Sequence, residues 1–232
     1  MHVLIVHAHP DPESFNGAMT RRAVEVLTGT GHAVTVSDLY AMRFDPVSDR
    51  RNFTTVADLR YLRLQAEEVY AAGHDGFVPE LQAEMDKVAA CDLLIVQFPI
   101  WWLGLPAILK GWVDRVFACG RAYGGGRYFD RGVFRGKRAM CSVTVGGSKD
   151  AYSEKGYYPE IEDILFPMHC GIFGFIGFNV IEPFAVYGPN RMNEEERRKQ
   201  LDRYGERLLH LDTARIIPMP QLDDYENGVR KP

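Results

Sequence analysis

The sequence of 232 residues predicts an α/β fold built on a doubly wound parallel sheet. Short apolar segments alternate with helical patterns along the chain, which is typical of parallel strands joined by right-handed helical crossovers. Two of these segments, 3–6 and 93–98, are almost continuously apolar, as expected of strands covered by helices on both faces. No repeat or linker divides the chain, so we expect one domain over 1–217 and an extended tail over 218–232.

The predicted elements follow one another in a regular order. The first strand (3–6) leads into a helix that Ser14 can cap and that runs to about residue 28. A strand at 33–36, a long loop at 40–56, helices at 58–71 and 77–90 and a third strand at 93–98 come next. Then follow a helix at 105–116, a glycine-rich loop at 121–132, a strand at 138–145, a helix near 159–168, a strand near 176–182 and a polar helix at 193–212.

Composition excludes several classes of protein. The net charge of -4 gives no basic footprint, so nucleic acid is not expected as a partner. The four cysteines are scattered and form no C-x-x-C pair, which favours a reducing compartment and a cytoplasmic protein. The N-terminus lacks the basic region of a signal peptide. The apolar segment 164–181 contains Pro167, His169 and Asn179, so we expect a buried helix that runs into a strand and no membrane insertion.

Unusual residues follow three of the predicted strands. They form the segments HAHPDPESFNG (7–17), PIWWLGLP (99–106) and TVGGS (144–148). In open parallel sheets, ligands bind beyond the carboxyl ends of the strands, where the strand order reverses. The topology therefore predicts that these three distant segments meet at one edge of the sheet and form a binding site.

Each segment suits a different part of one ligand. The first feeds a helix N-terminus, whose free N–H groups favour a phosphate, although an ordinary capped helix would give the same pattern. The adjacent Trp101 and Trp102 cannot both face one side of a core, so one of them is available to stack on a flat ring or to form an interface. Gly146 and Gly147 allow close backbone approach, or form a plain turn.

Together, a phosphate site, a stacking wall and amides beside a ring describe a flavin site. The flavin carries its own hydride chemistry, which accounts for the absence of an obvious catalytic triad. The sequence also has no G-x-G-x-x-G after its first strand and no P-loop, so a standard dinucleotide or nucleoside triphosphate site is not expected.

The segment P-x-x-W-x-G-x-P-A-x-L-K-G-W-x-D-R-V-F (99–117), with SDLYAM (37–42), TVGGS, GFNVIEP (177–183) and HAHPDPESFN, resembles the NAD(P)H:quinone oxidoreductase family. The resemblance spans about residues 2–212. It implies a flavodoxin-like five-stranded sheet of order 2-1-3-4-5 and a homodimer that binds FAD, with FMN as the alternative. It implies that NAD(P)H reduces the flavin, which then reduces a quinone by two electrons in the same pocket.

The resemblance also implies roles for individual residues. The expected flavin contacts are His9, Phe15, Asn16, Gln65, Pro99, Ile100, Trp101, Trp102, Leu103, Thr144, Val145, Gly146, Gly147, Tyr152 and Arg197. The expected substrate pocket is formed by Trp102, Tyr123, Gly146 and Phe175, the last from the other subunit. Tyr152 and Tyr158 take the catalytic positions.

Three departures from the family pattern change these expectations. Tyr158 stands where mammalian-type members have a relay histidine, and a phenol cannot form a stable cation as an imidazole can. Glycines 124–126 follow Tyr123 and predict a more open pocket. The chain lacks the long C-terminal extension of some relatives, so the preference between NADH and NADPH stays open.

Two alternative functions belong to other classes. The segment AHPDPE (8–13) is similar to the A-H-P-D-D-E motif of zinc-dependent N-acetylsugar deacetylases, in which His9, a carboxylate and a distant histidine such as His169 would hold zinc and Asp11 would act as base. Pro12 replaces the second acid of that motif. Some proteins of this fold are instead regulatory subunits of potassium-efflux transporters.

Overall fold

The computed structural model describes residues 1–231 and contains one main sheet with helices on both faces. The strands of that sheet are β1 (His2–His7), β2 (Ala33–Asp38), β3 (Leu93–Pro99), β4 (Arg138–Val145) and β5 (Asn179–Tyr187). The α-helices are α1 (Phe15–Gly29), α2 (Leu64–Ala72), α3 (Pro79–Ala90), α4 (Ala107–Val116), α5 (Ile161–Ile164), α6 (Phe166–Met168) and α7 (Glu194–Leu209).

The five strands are all parallel and lie in the order β2-β1-β3-β4-β5. This confirms the predicted doubly wound, flavodoxin-like topology. The strand order reverses between β1 and β3, whose carboxyl ends are aligned through the pairing of His7 with Gln97. The loops that follow β1, β3 and β4 therefore emerge side by side.

Alternating side chains of the central strands divide the core into two clusters. Leu4 and Val6 face a cluster that includes Trp112 of α4, whereas Val3 and Ile5 face a cluster that includes Tyr204 of α7. Period-2 alternation in a sheet covered on both faces produces this division. The almost continuous apolar composition of β1 and β3 follows from it.

Side chains that bind backbone N–H groups shorten the helix predicted over 58–71. The carboxylate of Asp58 accepts hydrogen bonds from the N–H groups of Arg60 and Tyr61 and holds this segment as a turn. Such local bonds compete with helix formation. The helix, α2, begins only at Leu64, and the predicted boundary was wrong by six residues.

The elements near residues 159–187 also differ from the prediction. The helix expected over 159–168 is two short segments, α5 and α6, which continue into a π-helical turn over His169–Gly174. The last strand starts at Asn179 and extends to Tyr187, although Pro183 lies within it. Because β5 is an edge strand, a residue without an N–H group is tolerated there.

The C-terminal tail is not extended throughout. Residues 218–231 contain a 3-10 turn (Leu222–Asp224) and a two-stranded hairpin of β6 (Tyr225–Glu226) and β7 (Val229–Arg230). The turn is attached to the domain because the carboxylate of Asp130 accepts from the N–H of Leu222 at 3.0 Å and Asp223 pairs with Arg131 at 2.6 Å. The division into a domain over 1–217 and a separate tail stays a prediction.

Among the helices of residues 1–231, none is both long and apolar enough to cross a membrane. The apolar segment 164–181 forms the last residue of α5, all of α6, the π-helical turn and the start of β5 instead.

We predict that Gly17→Ala disturbs the start of α1 and lowers the free energy of unfolding by about 1–3 kcal/mol, as overpacking does. A Cβ atom at Gly17 would overlap the carbonyl oxygen of Pro12. Gly29→Ala, in the same helix, is the control because a Cβ atom there has no neighbour within 4 Å. Denaturant unfolding of both variants measures the difference, and equal stabilities would contradict the prediction.

Candidate active site

The loop after β1 is held by its own side chains. The N–H of Asp11 donates to Nδ1 of His9 at 3.0 Å, and the N–H of Glu13 donates to the exposed carboxylate of Asp11 at 2.9 Å. Oγ of Ser14 accepts from the N–H of Gly17 at 3.1 Å and caps α1, as predicted. In the described part of the chain, the N–H groups of Phe15 and Asn16 have no acceptor, so they are available to an anion.

A buried chain of three polar side chains joins this loop to the sheet. Nε2 of Gln97 donates to Oδ1 of Asn16 at 2.8 Å, and Nδ2 of Asn16 donates to Oγ1 of Thr144 at 2.9 Å. These residues lie at the start of α1 and near the ends of β3 and β4. Their hydrogen bonds therefore fix the positions of the loops after β1, β3 and β4 relative to one another. Gln97 had no predicted role, although a glutamine inside an apolar strand was a signal for one.

Six predicted contacts line one cavity of about 440 Å³ at this edge of the sheet. They are His9, Phe15, Asn16, Pro99, Thr144 and Arg197. Six further residues line it that were not among the expected flavin contacts, namely Glu13, Ser14, Ala18, Pro189, Asn190 and Leu201. Nε of Arg197 donates to the carbonyl of Pro189 at 3.0 Å, which orients the guanidinium at the rim of the cavity. The cavity thus combines N–H donors, the guanidinium of Arg197 and the exposed carboxylate of Glu13 with apolar walls.

The segment after β3 forms a tight turn with unusual backbone angles. The N–H groups of Trp101 and Gly104 each donate to the other residue's carbonyl, at 3.1 and 2.9 Å. The two residues between them, Trp102 and Leu103, both have positive φ angles of 52° and 55°. Bulky residues rarely adopt this conformation, and such strain concentrates at functional sites. The turn presents Trp102 fully exposed, and the ring of Trp101 lies 6.4 Å from that of His9.

The segment after β4 packs against a group of tyrosines. A Cβ atom at Gly147 would lie 2.6 Å from Cε2 of Tyr152, so glycine is needed for Tyr152 to occupy its position, whereas Gly146 has open space around it. The ring of Tyr152 stacks on that of Tyr158, with centroids 5.0 Å apart. Burial, and then Tyr158, raise the pKa of the Tyr152 phenol, so it stays protonated at neutral pH.

Three of the predicted residues lie away from these loops. Gln65, Tyr123 and Phe175 line a second cavity of about 430 Å³, which shares no lining residue with the first. Nε2 of Gln65 donates to the hydroxyl of Tyr123 at 3.1 Å, and the rings of Tyr123 and Phe175 are 5.6 Å apart. Within one chain, therefore, Gln65 is not brought together with the other expected flavin contacts.

The zinc alternative has no set of ligands in the described residues. Across 1–231, no three His, Cys, Asp or Glu side chains are grouped so that they could hold a metal ion. His169 lies on the π-helical turn, where burial lowers the pKa of its imidazole to about 4. His9 is bound within its own loop.

Comparison with known proteins gives a consistent result. Residues 1–208 match the model of a family described as having a flavodoxin-like fold. NAD(P)H dehydrogenase (quinone) 1 from Cavia porcellus is 42% identical over 206 residues, which are 88% of this chain and 75% of the relative. A ribosyldihydronicotinamide dehydrogenase-like protein from Penicillium crustosum is 38% identical and covers 99% of this chain and 88% of the relative.

A solved structure of a candidate quinone reductase from Klebsiella pneumoniae superposes with a TM-score of 0.93 at 37% identity, over 97% of this chain and 91% of that one. An NAD(P)H:quinone oxidoreductase from Methanothermobacter marburgensis superposes with a TM-score of 0.72 at 27% identity, over 91% of this chain and 96% of that one. With its strand order, its three converging loops and these relatives, the chain belongs to the NAD(P)H:quinone oxidoreductase family of flavodoxin-like proteins.

Proposed function

We propose that this protein is an NAD(P)H dehydrogenase that uses a bound flavin to reduce quinones, or similar aromatic acceptors, by two electrons. The observation that carries the proposal is the meeting of three dissimilar loops at the carboxyl edge of β1, β3 and β4, joined by the hydrogen bonds of Asn16. None of the four relatives described above is named as a transporter subunit or a deacetylase, so we retain neither alternative.

The residues present fit a flavin. The free N–H groups of Phe15 and Asn16, with His9 and Arg197, offer donors and positive charge for phosphate oxygens. The exposed turn at Trp101 and Trp102 offers flat apolar surface for the ring, as do Pro99, Ile100 and Leu103. The open space at Gly146 admits the ring edge beside Thr144, Val145 and Gly147.

The flavin, when bound, would supply hydride acceptance from NAD(P)H and hydride delivery to the acceptor. The residues of this chain would bind the flavin, orient both substrates and donate hydrogen bonds and protons. The phenol of Tyr152, held protonated by burial, would donate a hydrogen bond to a ring carbonyl. Tyr158, stacked on Tyr152, would fix the angle of that phenol rather than carry a positive charge.

We propose FAD rather than FMN as the cofactor. The cavity at α1 extends along Pro189 and Asn190 to Arg197 and Leu201 of α7, beyond the loop that would hold the first phosphate. This extension would accommodate the second phosphate and the adenosine of FAD. The guanidinium of Arg197 would then neutralise part of the diphosphate charge.

We also propose that the protein works as a homodimer in the cytoplasm. Trp102 is fully exposed, and the cavity that contains Tyr123 and Phe175 lies apart from the flavin cavity of the same chain. A second copy would place its Tyr123, Phe175 and Gln65 opposite this turn and close a pocket for the quinone and nicotinamide. All four cysteines are free, as suits a reducing compartment.

The main test is an anaerobic absorbance titration of the purified protein loaded with FAD. We expect the visible flavin bands to bleach when NADH or NADPH is added and to return when a benzoquinone is added. The same cycle without protein is the control for direct reduction of free flavin. A protein that retains no added flavin, or whose bands do not bleach, would contradict the proposed function.

A second prediction tests the choice of FAD. Arg197→Ala removes a charge that only the diphosphate of FAD would meet, so we expect the Kd for FAD to rise about tenfold while the Kd for FMN changes little. Arg198→Ala changes the neighbouring exposed arginine and serves as the control. Fluorescence titrations measure both constants. Equal losses for FAD and FMN would place Arg197 at the shared phosphate instead.

A third prediction concerns Tyr152. Tyr152→Phe keeps the stacked ring but removes the hydroxyl donor, so we expect kcat to fall about tenfold or more while flavin stays bound. Tyr157→Phe is the matched control, because Tyr157 is 93% exposed. Steady-state turnover and the bound-flavin content measure the two effects. Unchanged turnover in Tyr152→Phe would show that Tyr152 only lines the pocket and has no catalytic role.

A further inference from the structure

The carboxyl group of Glu68 is buried without a cation. Glu68 lies on α2 and is only 4% exposed, and Oε2 accepts one hydrogen bond, from the N–H of Cys119 at 2.8 Å. Within residues 1–231, no basic group lies within ion-pair distance of it. Its neighbour Glu67 differs, because it accepts from two N–H groups and pairs with Arg50 at 3.5 Å. Glu67 is therefore a structural anchor, whereas Glu68 is only partly satisfied.

Glu68 faces the cavity that would receive the acceptor. It lines the 430 Å³ cavity together with Gln65, Tyr123 and Phe175. Residues three apart lie on the same side of a helix, so Gln65 and Glu68 present their side chains to this cavity together. Gln65 is already engaged with the hydroxyl of Tyr123. The carboxyl of Glu68 lines the same cavity as that pair.

The proposed reaction needs a proton at this place. When hydride reaches a quinone, one oxygen of the acceptor becomes negatively charged, and a proton must reach it to give the neutral hydroquinone. Burial raises the pKa of the Tyr123 and Tyr152 phenols, so neither releases a proton readily at neutral pH. A general acid is most effective when its pKa lies near the working pH.

We propose that Glu68 is the general acid of the acceptor half-reaction and donates its carboxyl proton to the acceptor oxygen that becomes negative. This inference rests on the proposed function. The O–H bond of the carboxylic acid breaks, an O–H bond forms on the hydroquinone, and the carboxylate takes a new proton from solvent. The hydride comes from the reduced flavin, so atoms and electrons balance without a further reductant.

Among the groups around this cavity, the carboxyl of Glu68 is the one that we expect to gain or lose a proton near neutral pH. Burial raises the pKa of its carboxyl to about 7. Burial, and then Glu68 itself, raise the pKa of the Cys119 thiol. Asp114, which also lines the cavity, is paired with Lys110 at 2.7 Å. Gln65 does not titrate, and the Tyr123 phenol stays protonated.

The test separates the two half-reactions by stopped flow. Reoxidation of the NADH-reduced enzyme by a benzoquinone should be fast and constant below about pH 7 and should slow above it, because the acid form is then lost. Glu68→Gln should slow reoxidation about a hundredfold at about pH 6 and remove the pH dependence. The bleaching by NADH should keep its rate in this variant. In Asp114→Asn, whose side chain lines the same cavity, the slowing of reoxidation above about pH 7 should remain.

The outcomes distinguish this inference from the proposed function. Normal bleaching with an unchanged reoxidation profile in Glu68→Gln would overturn the role of Glu68 and leave quinone reduction intact. A loss of pH dependence in Asp114→Asn would also overturn it. Absence of bleaching in the wild-type enzyme would overturn the proposed function, and the role of Glu68 with it.

A second measurement needs neither flavin nor turnover. The infrared spectrum of the flavin-free protein should show a protonated carboxyl band that disappears as the pH rises through about 7, and Glu68→Gln should lack this band. The amide oxygen of glutamine can still accept from the N–H of Cys119, so we expect this variant to fold. A wild-type protein without a band that titrates in this range would contradict the proposal.

Discussion

The geometry of the candidate active site depends on the two hydrogen bonds of the Asn16 side-chain amide. It is 3% exposed, and it accepts from Gln97 of β3 while it donates to Thr144 of β4. Main-chain bonds fix the strands relative to one another and tie Ala8, the first residue after β1, to Gln97. In the described residues, no main-chain bond joins the start of α1 to β3 or β4. A buried amide that lost either partner would leave an unpaired polar group, which is costly in a low-dielectric core. The start of α1 is therefore held against the ends of β3 and β4.

At the carboxyl ends of β1, β3 and β4, the backbone is strained in one turn and crowded around two glycines. Both features favour a binding role. Trp102 and Leu103 hold positive φ angles in a turn that has no glycine at its centre, and Gly17 and Gly147 occupy places where a Cβ atom would collide. A stable core does not require any of these features. They position exposed aromatic surface and free N–H groups where a planar, phosphate-bearing ligand would lie.

Burial without a partner sets the acid–base character of the second cavity. Glu67 and Glu68 are adjacent in sequence and almost equally buried, yet Glu67 has two N–H donors and Arg50, whereas Glu68 has only the N–H of Cys119. Desolvation therefore dominates at Glu68 and favours its neutral form. Hydrogen bonds dominate at Glu67 and lower the pKa of its carboxyl instead. Two identical side chains thus acquire opposite proton affinities from their surroundings.

The strand order was expected from the resemblance to the family. Local patterns in the sequence by themselves determined the parallel sheet, its burial on both faces and the meeting of three loops. These follow from local periodicity and from the handedness of crossovers, which depend on nearby residues. The sequence also determined the cap at Ser14, because a cap is a contact between residues three apart. The start of α2 at Leu64 was not determined in this way, since Asp58 and Glu67 bind N–H groups across a turn.

Only the tertiary structure decided which polar residues are buried and what they contact. In the sequence, Gln97 is one polar residue in an apolar strand, and Glu68 is the second of two adjacent glutamates on a predicted helix. Their roles depend on partners that are 81 and 51 residues away, at Asn16 and Cys119. The separation of Gln65, Tyr123 and Phe175 from the flavin cavity likewise needed three-dimensional distances. Local pattern carries no information about such contacts, because they form only when distant segments pack together.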